Sequence, residues 1–405
     1  MNRRYRATVV GLVAVAVVLT GCHAPAHLGV GTTVVGVHGS CDTSSVVEVG
    51  AALPLSGALA ELGHAELTGL ELGVSQVNRA GGVLSAHHCL ELLYKDDRSN
   101  PAVDNQALLD LANRERVTLV VGPFVALDDP ANRTNLGSLG VTATSFSSTL
   151  DTFAPRTYPY TFPIGSSVAA QAQVVATYAA RHRWQRVAAL TSGSASSAEG
   201  EAAFIAAGRR AGLAVTAIRR PFSTSSKATA ALNAVRAAHA DALVVVGTGS
   251  LGPLLNARAT LHRTIPVVAS DATQVPKVPA RELAGVAVVV PGALATARSV
   301  PAAVASFRAR VLQTLHRRVL DGALTPYAQG YDAIEVFAGA VNGVNADDPG
   351  SLRTYLENAN YQGILGSYNF TSGAHTGLAG SQLTVVPLGS FSNGVFVTKR
   401  AGSSS

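Results

Sequence analysis

The chain contains no run of five or more lysines and arginines, and aromatic residues make up only 5% of its 405 positions. These shortages remove both the phosphate-tracking charge and the stacking platform on which nucleic-acid binding rests. Long apolar runs are missing too: beyond the first twenty residues, no stretch reaches the roughly 18 that a helix needs to span a bilayer. No serine carries glycines at the G-x-S-x-G spacing, so the nucleophile elbow of hydrolases is absent. His87-His88-Cys89 groups three candidate metal ligands. Neighbours on an extended chain point in alternating directions and do not converge on one ion, so the run reads as a turn entering a strand. No metal, no cofactor and no enzymatic activity are expected.

What is present begins at the N-terminus. Arg3, Arg4 and Arg6 precede the apolar stretch from Ala7 to Thr20, which ends in Leu19-Thr20-Gly21-Cys22. A charged segment followed by an apolar segment too short to cross a bilayer is an export signal. Its last four residues resemble a bacterial lipobox, which implies cleavage before Cys22 and a lipid on its thiol. The alternative is an ordinary secretory signal with an incidental cysteine. Either reading places the mature chain outside the cytoplasm, and the first anchors it to the outer face of the cell membrane by the lipid alone. Loss of residues 1–21 removes three arginines and no acid, leaving 28 basic against 25 acidic side chains, about +3 in place of +6.

About 380 residues remain, enough for two domains. Residues 22–45 are rich in Gly, Thr, Ser and His and read as a tether, and 399–405 as a tail. From Val46 the chain alternates strand and helix. Val46–Leu53 reads as a strand, and Leu67, Leu70, Val74 and Val77 recur at helical spacing until Gly81-Gly82 stops the helix. Leu90–Tyr94 is the next strand, and Asn100 as cap with Pro101 as first residue opens a helix through Arg114. Further strands are expected at 117–121, 141–145, 187–190, 213–218, 243–246, 267–269 and 286–290. Such alternation predicts an α/β fold with parallel sheets covered by helices on both faces. Strand ends run into loops rich in Gly, Ser, Thr or Pro, at 54–57, 122–123, 145–149, 191–197, 247–250 and 270–273. In open α/β sheets ligands bind at these carboxyl ends, so a small polar ligand is expected there.

Ala52-Leu-Pro-Leu-Ser-Gly57, Val77-Asn-Arg-Ala-Gly-Gly82, Tyr94-Lys-Asp-Asp97 and Val120-Val-Gly-Pro123 occur in that order. Together they resemble the N-terminal lobe of periplasmic binding proteins of the leucine/isoleucine/valine class. Residues 327–341 resemble that family's late helix, and Gly363-Ile-Leu-Gly366 with Tyr368-Asn-Phe370 its closing hairpin region. The resemblance implies two doubly wound parallel-sheet lobes joined by three crossovers, with a ligand cleft between them. The lobes would comprise residues 46–163 with 291–362, and 164–290 with 363–398.

The resemblance also implies a site. In the family's amino-acid receptors, hydroxyls on the loops after the third and fourth strands hold the ligand carboxylate, and an acid from the second lobe holds its ammonium group. These positions fall on Ala126, on Ser147 and Thr149, and on Asp271. Ala126 has no hydroxyl, so the carboxylate would rest on Ser147, Thr149 and backbone N–H groups from Phe124 to Ala126. Leu62 stands where an aromatic covers the ligand, and neither Ser197 nor Thr248 supplies a second-lobe tyrosine. Each residue has a plainer reading: Ser147 and Thr149 as helix caps or local turns, and Asp271 as a cap or a partner of Arg258 or Arg263. Tyr331, on the late helix, reads as core packing. Cys41 and Cys89 flank adjacent parallel strands of the implied first lobe, and an oxidising compartment favours a disulfide between them.

One motif competes. Gly247-Thr-Gly249-Ser-Leu-Gly252 follows a strand, with Asp271 19 residues beyond its last glycine, as in a dinucleotide fingerprint. Pro253 directly after Gly252 sets the last glycine at the helix cap instead of inside the first turn, and the unit does not lie on its lobe's first strand. The NAD-binding oxidoreductase is therefore set aside. The expected function is an extracytoplasmic solute-binding lipoprotein that delivers a small amino acid or amide-like solute to an ABC permease. The second reading is a tethered sensor or envelope lipoprotein without transport.

Overall fold

The computed structural model describes residues 31–35, 39–122, 135, 139, 142–145, 154–192, 195–247, 250–270, 275–296 and 299–398. Six strands build the first sheet: β1 Thr33–Val35, β2 Asp42–Leu53, β3 His88–Asp96, β4 Leu119–Val121, β5 Thr142–Ser145 and β6 Thr161–Pro163. Their spatial order is β1-β3-β2-β4-β5-β6, parallel throughout except for β1. After them come β7 Arg186–Thr191, β8 Ala214–Arg219, β9 Ala242–Val246, β10 Val267–Ala269 and β11 Val286–Pro291. The short strands β12 Ala295–Thr296, β13 Asn360–Gln362, β14 Ser367–Thr371 and β15 Ala374–Thr376 precede β16 Leu383–Pro387, β17 Phe391–Ser392 and β18 Val395–Val397. The second sheet has the order β16-β11-β10-β9-β7-β8, with β16 antiparallel at its edge. The chain passes between the sheets three times: after β6, after β11, and between β15 and β16.

The helices form where periodicity and capping direct them. Helix α1, Ala60–Arg79, buries Leu67, Leu70, Val74 and Val77. Helix α2, Pro101–Asn113, starts where Asn100 accepts hydrogen bonds from the N–H groups of Ala102 and Val103, at 2.9 and 3.4 Å. An uncapped helix end would leave those donors unsatisfied. In the second lobe lie α3 Val168–Arg181, α4 Ala195–Arg210, α5 Ser225–Ala237 and α6 Gly252–Thr260. The chain then returns to the first lobe through α7 Ala302–Thr314, α8 Thr325–Val344 and α9 Pro349–Leu356. Helices α1 and α8 meet through glycines. A Cβ on Gly69 would strike the carbonyl of Tyr327, and one on Gly330 the carbonyl of Glu66.

Two stretches lie elsewhere than the sequence suggests. Thr33–Val35, within the stretch read as a tether, pairs with β3, and β2 already begins at Asp42. The disulfide between Cys41 and Cys89, whose Cα atoms are 5.1 Å apart, fastens this arm to the sheet. Residues 367–376, read with the second lobe, form a hairpin on the first. Phe370 meets Phe162 edge-on at 5.2 Å, and His375 stacks on Phe162 at 4.4 Å. Tyr368 is also fully buried and bonds Asp332 of α8, so the crossing to β16 comes only after β15.

Candidate functional site

The first-lobe loop motifs are bonded to one another. One carboxylate oxygen of Asp96 accepts the N–H groups of Leu55 and Ser56, both at 3.0 Å, and of Arg98 at 2.8 Å. Burial pushes Asp96 up, and these hydrogen bonds outweigh it, holding the carboxyl below its ordinary range. Ser99 donates to the carbonyl of Ser56 at 2.8 Å and accepts from Leu59 N–H at 3.1 Å. Gly57 has φ +84°, and a Cβ there would lie 2.8 Å from the carbonyl oxygen of Arg98, so only glycine fits. The loop that opens α1 is thus fixed by the loop that follows β3.

Beneath it lies a group of buried acids. Asp97 is fully buried and accepts Ser99 N–H at 2.7 Å. Burial, reinforced by Asp104, pushes it up to about 8. Glu66, also buried, is pushed well up by burial and then by Asp97. Burial among like charges favours the protonated form of both carboxyls.

A cavity of about 760 Å³ opens between the lobes. Glu61, Leu62, His64 and Thr68 of α1 form one wall, Ser250, Gly252, Val275 and Lys277 of the second lobe face them, and Tyr327 of α8 closes an end. Leu62 is 6% exposed and lines the cavity. Glu61 and Lys277 reach across the rim to within 3.2 Å. Both are exposed, so the pair adds little energy but bridges the lobes. Phe124, Ala126, Ser147, Thr149, Thr248 and Asp271 lie outside the described residues, as does Cys22. Glu61, His64, Lys277 and Tyr327 were not found by sequence. A helix start, a loop lysine and a helical tyrosine carry no local sign of facing a cleft.

The plainer readings are resolved in part. Arg258 is 5% exposed and donates to the carbonyls of Ile265, Glu282 and Ala284 at 3.2, 2.7 and 2.7 Å, tying down the chain around β10. Tyr331 is 9% exposed, packs on Phe307 at 5.0 Å and lies under Arg310. Its neighbour Asp332 accepts the N–H groups of Ile364 and Leu365 and the hydroxyl of Tyr368, holding the 363–366 turn against α8. In the glycine-rich motif, Gly247 has φ +89° and a Cβ there would meet that of Ser197 at 3.0 Å, which accounts for a glycine without any nucleotide. Helix α6 begins at Gly252, so that glycine sits at the helix start, as Pro253 implies. Among the described residues no three His, Cys, Asp or Glu side chains converge to hold a metal ion, and no helix is long and apolar enough to cross a membrane.

Two doubly wound sheets, three chain crossings and a polar-rimmed cavity between them define a two-lobed binding protein. The chain belongs to the periplasmic binding protein family, whose sequence profile matches residues 46–390. No curated protein matches the chain. Among solved structures it is similar to a type 1 periplasmic binding protein from Bordetella pertussis Tohama I, at TM-score 0.71 and 19% identity, covering 88% of this chain and 98% of that one. It is similar to the leucine-binding protein LivK of Thermotoga maritima MSB8, at TM-score 0.68 and 18% identity, covering 87% and 99%. A solute-binding protein of an ABC transporter from Rhodopseudomonas palustris BisB5, in complex with 3,4-dihydroxybenzoic acid, matches at TM-score 0.67 and 19% identity, covering 82% and 90%.

Proposed function

We propose that this protein is the extracytoplasmic solute receptor of an ABC importer, anchored through a lipid on Cys22 and binding a small organic solute between its lobes. The observation that carries the proposal is the cavity of about 760 Å³, walled by both lobes and closed by no covalent link among the described residues. A site of this kind releases its solute when the lobes part, and that suits delivery, not chemistry. An amino acid or amide-like solute is the favoured ligand, with Asp271 taking an ammonium group and Ser147 and Thr149 a carboxylate or carbonyl. Structural neighbours described with leucine and with a dihydroxybenzoate make the aromatic acids a second class to test.

The test is calorimetric titration with amino acids, their amides and hydroxybenzoates. Removing one member of a desolvated charge pair costs about 2 to 5 kcal/mol, so Asp271→Ala weakens an amino-acid ligand by at least roughly 30-fold. Thr149→Val, losing one hydrogen bond, costs on the order of 1 to 3 kcal/mol. An Asp271→Ala protein that binds an amino acid as tightly as wild type refutes the ammonium site.

A further inference from the structure

We propose that the N-terminal arm is a strap that turns the cleft end of the first lobe toward the membrane surface to which Cys22 is attached. The inference rests on the reading of Cys22 as the lipidated residue. Its basis is the direction of β1. Strand β2 begins at Asp42, level with His88, at the pole of the sheet opposite the cleft. An arm leaving the fold there would tether the molecule by the pole farthest from its ligand. Strand β1 reverses the exit, because it runs antiparallel to β3: Val35 lies level with Leu92, and Thr33 with Tyr94. Followed toward the N-terminus, the chain climbs the sheet edge to the cleft end.

There it is clasped. The Lys95 ammonium, buried under the arm, donates to Thr32 Oγ1 at 2.7 Å, and that hydroxyl donates to Glu115 Oε1 at 2.8 Å. Lys95 Nζ is itself 3.5 Å from Glu115 Oε1. The residue after Lys95 is Asp96, whose carboxylate holds the cleft loop at Leu55 and Ser56. The arm is therefore held to the edge strand one residue before Asp96, past the middle of the sheet toward its cleft end. At the far pole, the Cys41–Cys89 disulfide fixes the descending part of the arm.

Chain length converts the exit point into an orientation. Nine residue-to-residue steps lead from Cys22 to Gly31. At no more than about 3.5 Å each they span at most ~30 Å, which is about the length of β3 itself. A tether running to Cys41 would span up to ~65 Å and favour neither pole. With the strap in place, the cleft end cannot stand more than about one sheet-length from the lipid, whereas the opposite pole can stand as far away as about two.

The test places a donor fluorophore, as a non-natural amino acid, at Ser56 on the cleft end or at Ala86 on the opposite pole, both exposed. The mature chain is coupled through Cys22 to a maleimide lipid in vesicles that carry an acceptor lipid; Cys41 and Cys89 are held in their disulfide and do not react. Energy transfer from position 56 is expected to exceed that from position 86 at least twofold. Twelve Gly/Ser residues inserted after Val35 leave that ratio intact, because β1 stays paired, whereas the same insertion after Gly31 brings it toward one. A ratio near one in the unaltered chain overturns the proposal, as does an insertion after Val35 that acts like the one after Gly31. Acylation of wild-type Cys22 is read separately by fatty-acid labelling in cells, so failure of the lipid reading and failure of the strap give different results.

Discussion

Reducing the Cys41–Cys89 disulfide removes the covalent link between the arm and the first sheet, and the size of that effect follows from the loop it closes. The bridge joins residues 48 apart. In the chain-entropy account, closing a loop of that length removes about 14 cal/mol/K from the unfolded chain, or ~4 kcal/mol at 25 °C. The surroundings give little room to relax. Cys89 is fully buried, and a Cβ on Gly82 would collide with the carbonyl of His88 and lie 2.8 Å from Cys41 Cβ. Asn78 grips both the N–H and the carbonyl of Leu90, at 2.7 and 2.9 Å, next to the bridge. Cys41→Ala/Cys89→Ala avoids burying a new polar group and should lower first-lobe stability by about 4 kcal/mol, roughly 8 to 16 °C in the melting of a domain of some 200 residues. Urea titration of wild type with and without a phosphine reductant should give the same loss without mutation. Equal midpoints in the two conditions refute the reasoning, as do two alkylatable thiols in native, freshly purified protein.

Two further perturbations address the buried acids and the contact between α1 and α8. Asp97 is pushed up to about 8 in the fold from an ordinary 3.8, so the folded state holds an extra proton between those values. Its stabilising contribution is full below about pH 4 and lost as pH rises through about 8. Urea midpoints should therefore fall from pH 5 to pH 9, and Asp97→Asn, with no proton to lose, should flatten the decline; an undiminished slope in that variant assigns it to other groups. Gly330→Val would drive side-chain atoms into the Glu66 carbonyl and part α1 from α8, at a cost of about 3 kcal/mol or more; a melting curve like wild type would mean that the helices separate without penalty.

The parallel sheets were legible because their signals are local and repeated. Asn100 and Pro101 mark a helix start by their own chemistry, and Leu67, Leu70, Val74 and Val77 mark a buried face by spacing. The parallel core strands were found within a few residues of their ends for the same reason. Thr33–Val35, Thr161–Pro163 and Leu383–Pro387 were missed: each is short, and pairing partners elsewhere in the chain decide whether such a segment becomes a strand. The Gly69 and Gly330 contacts also depend on two helices meeting across 261 positions, which no local pattern reveals. At the cavity, Leu62 shares the buried face of α1 with Leu70, a face that helical spacing marks. Lys277 and Tyr327 join the cavity only because two lobes face one another.

Native mass spectrometry of the protein purified from its own culture tests the central claim most directly. The account predicts that wild type carries one small organic solute per chain, released on unfolding, and that Ser250→Trp, which fills the wall of the inter-lobe cavity, loses it while folding normally. Wild-type protein with no such adduct, and no saturable binding to any amino acid, amide or hydroxybenzoate offered to it, would contradict the claim that this cleft is a solute-binding site.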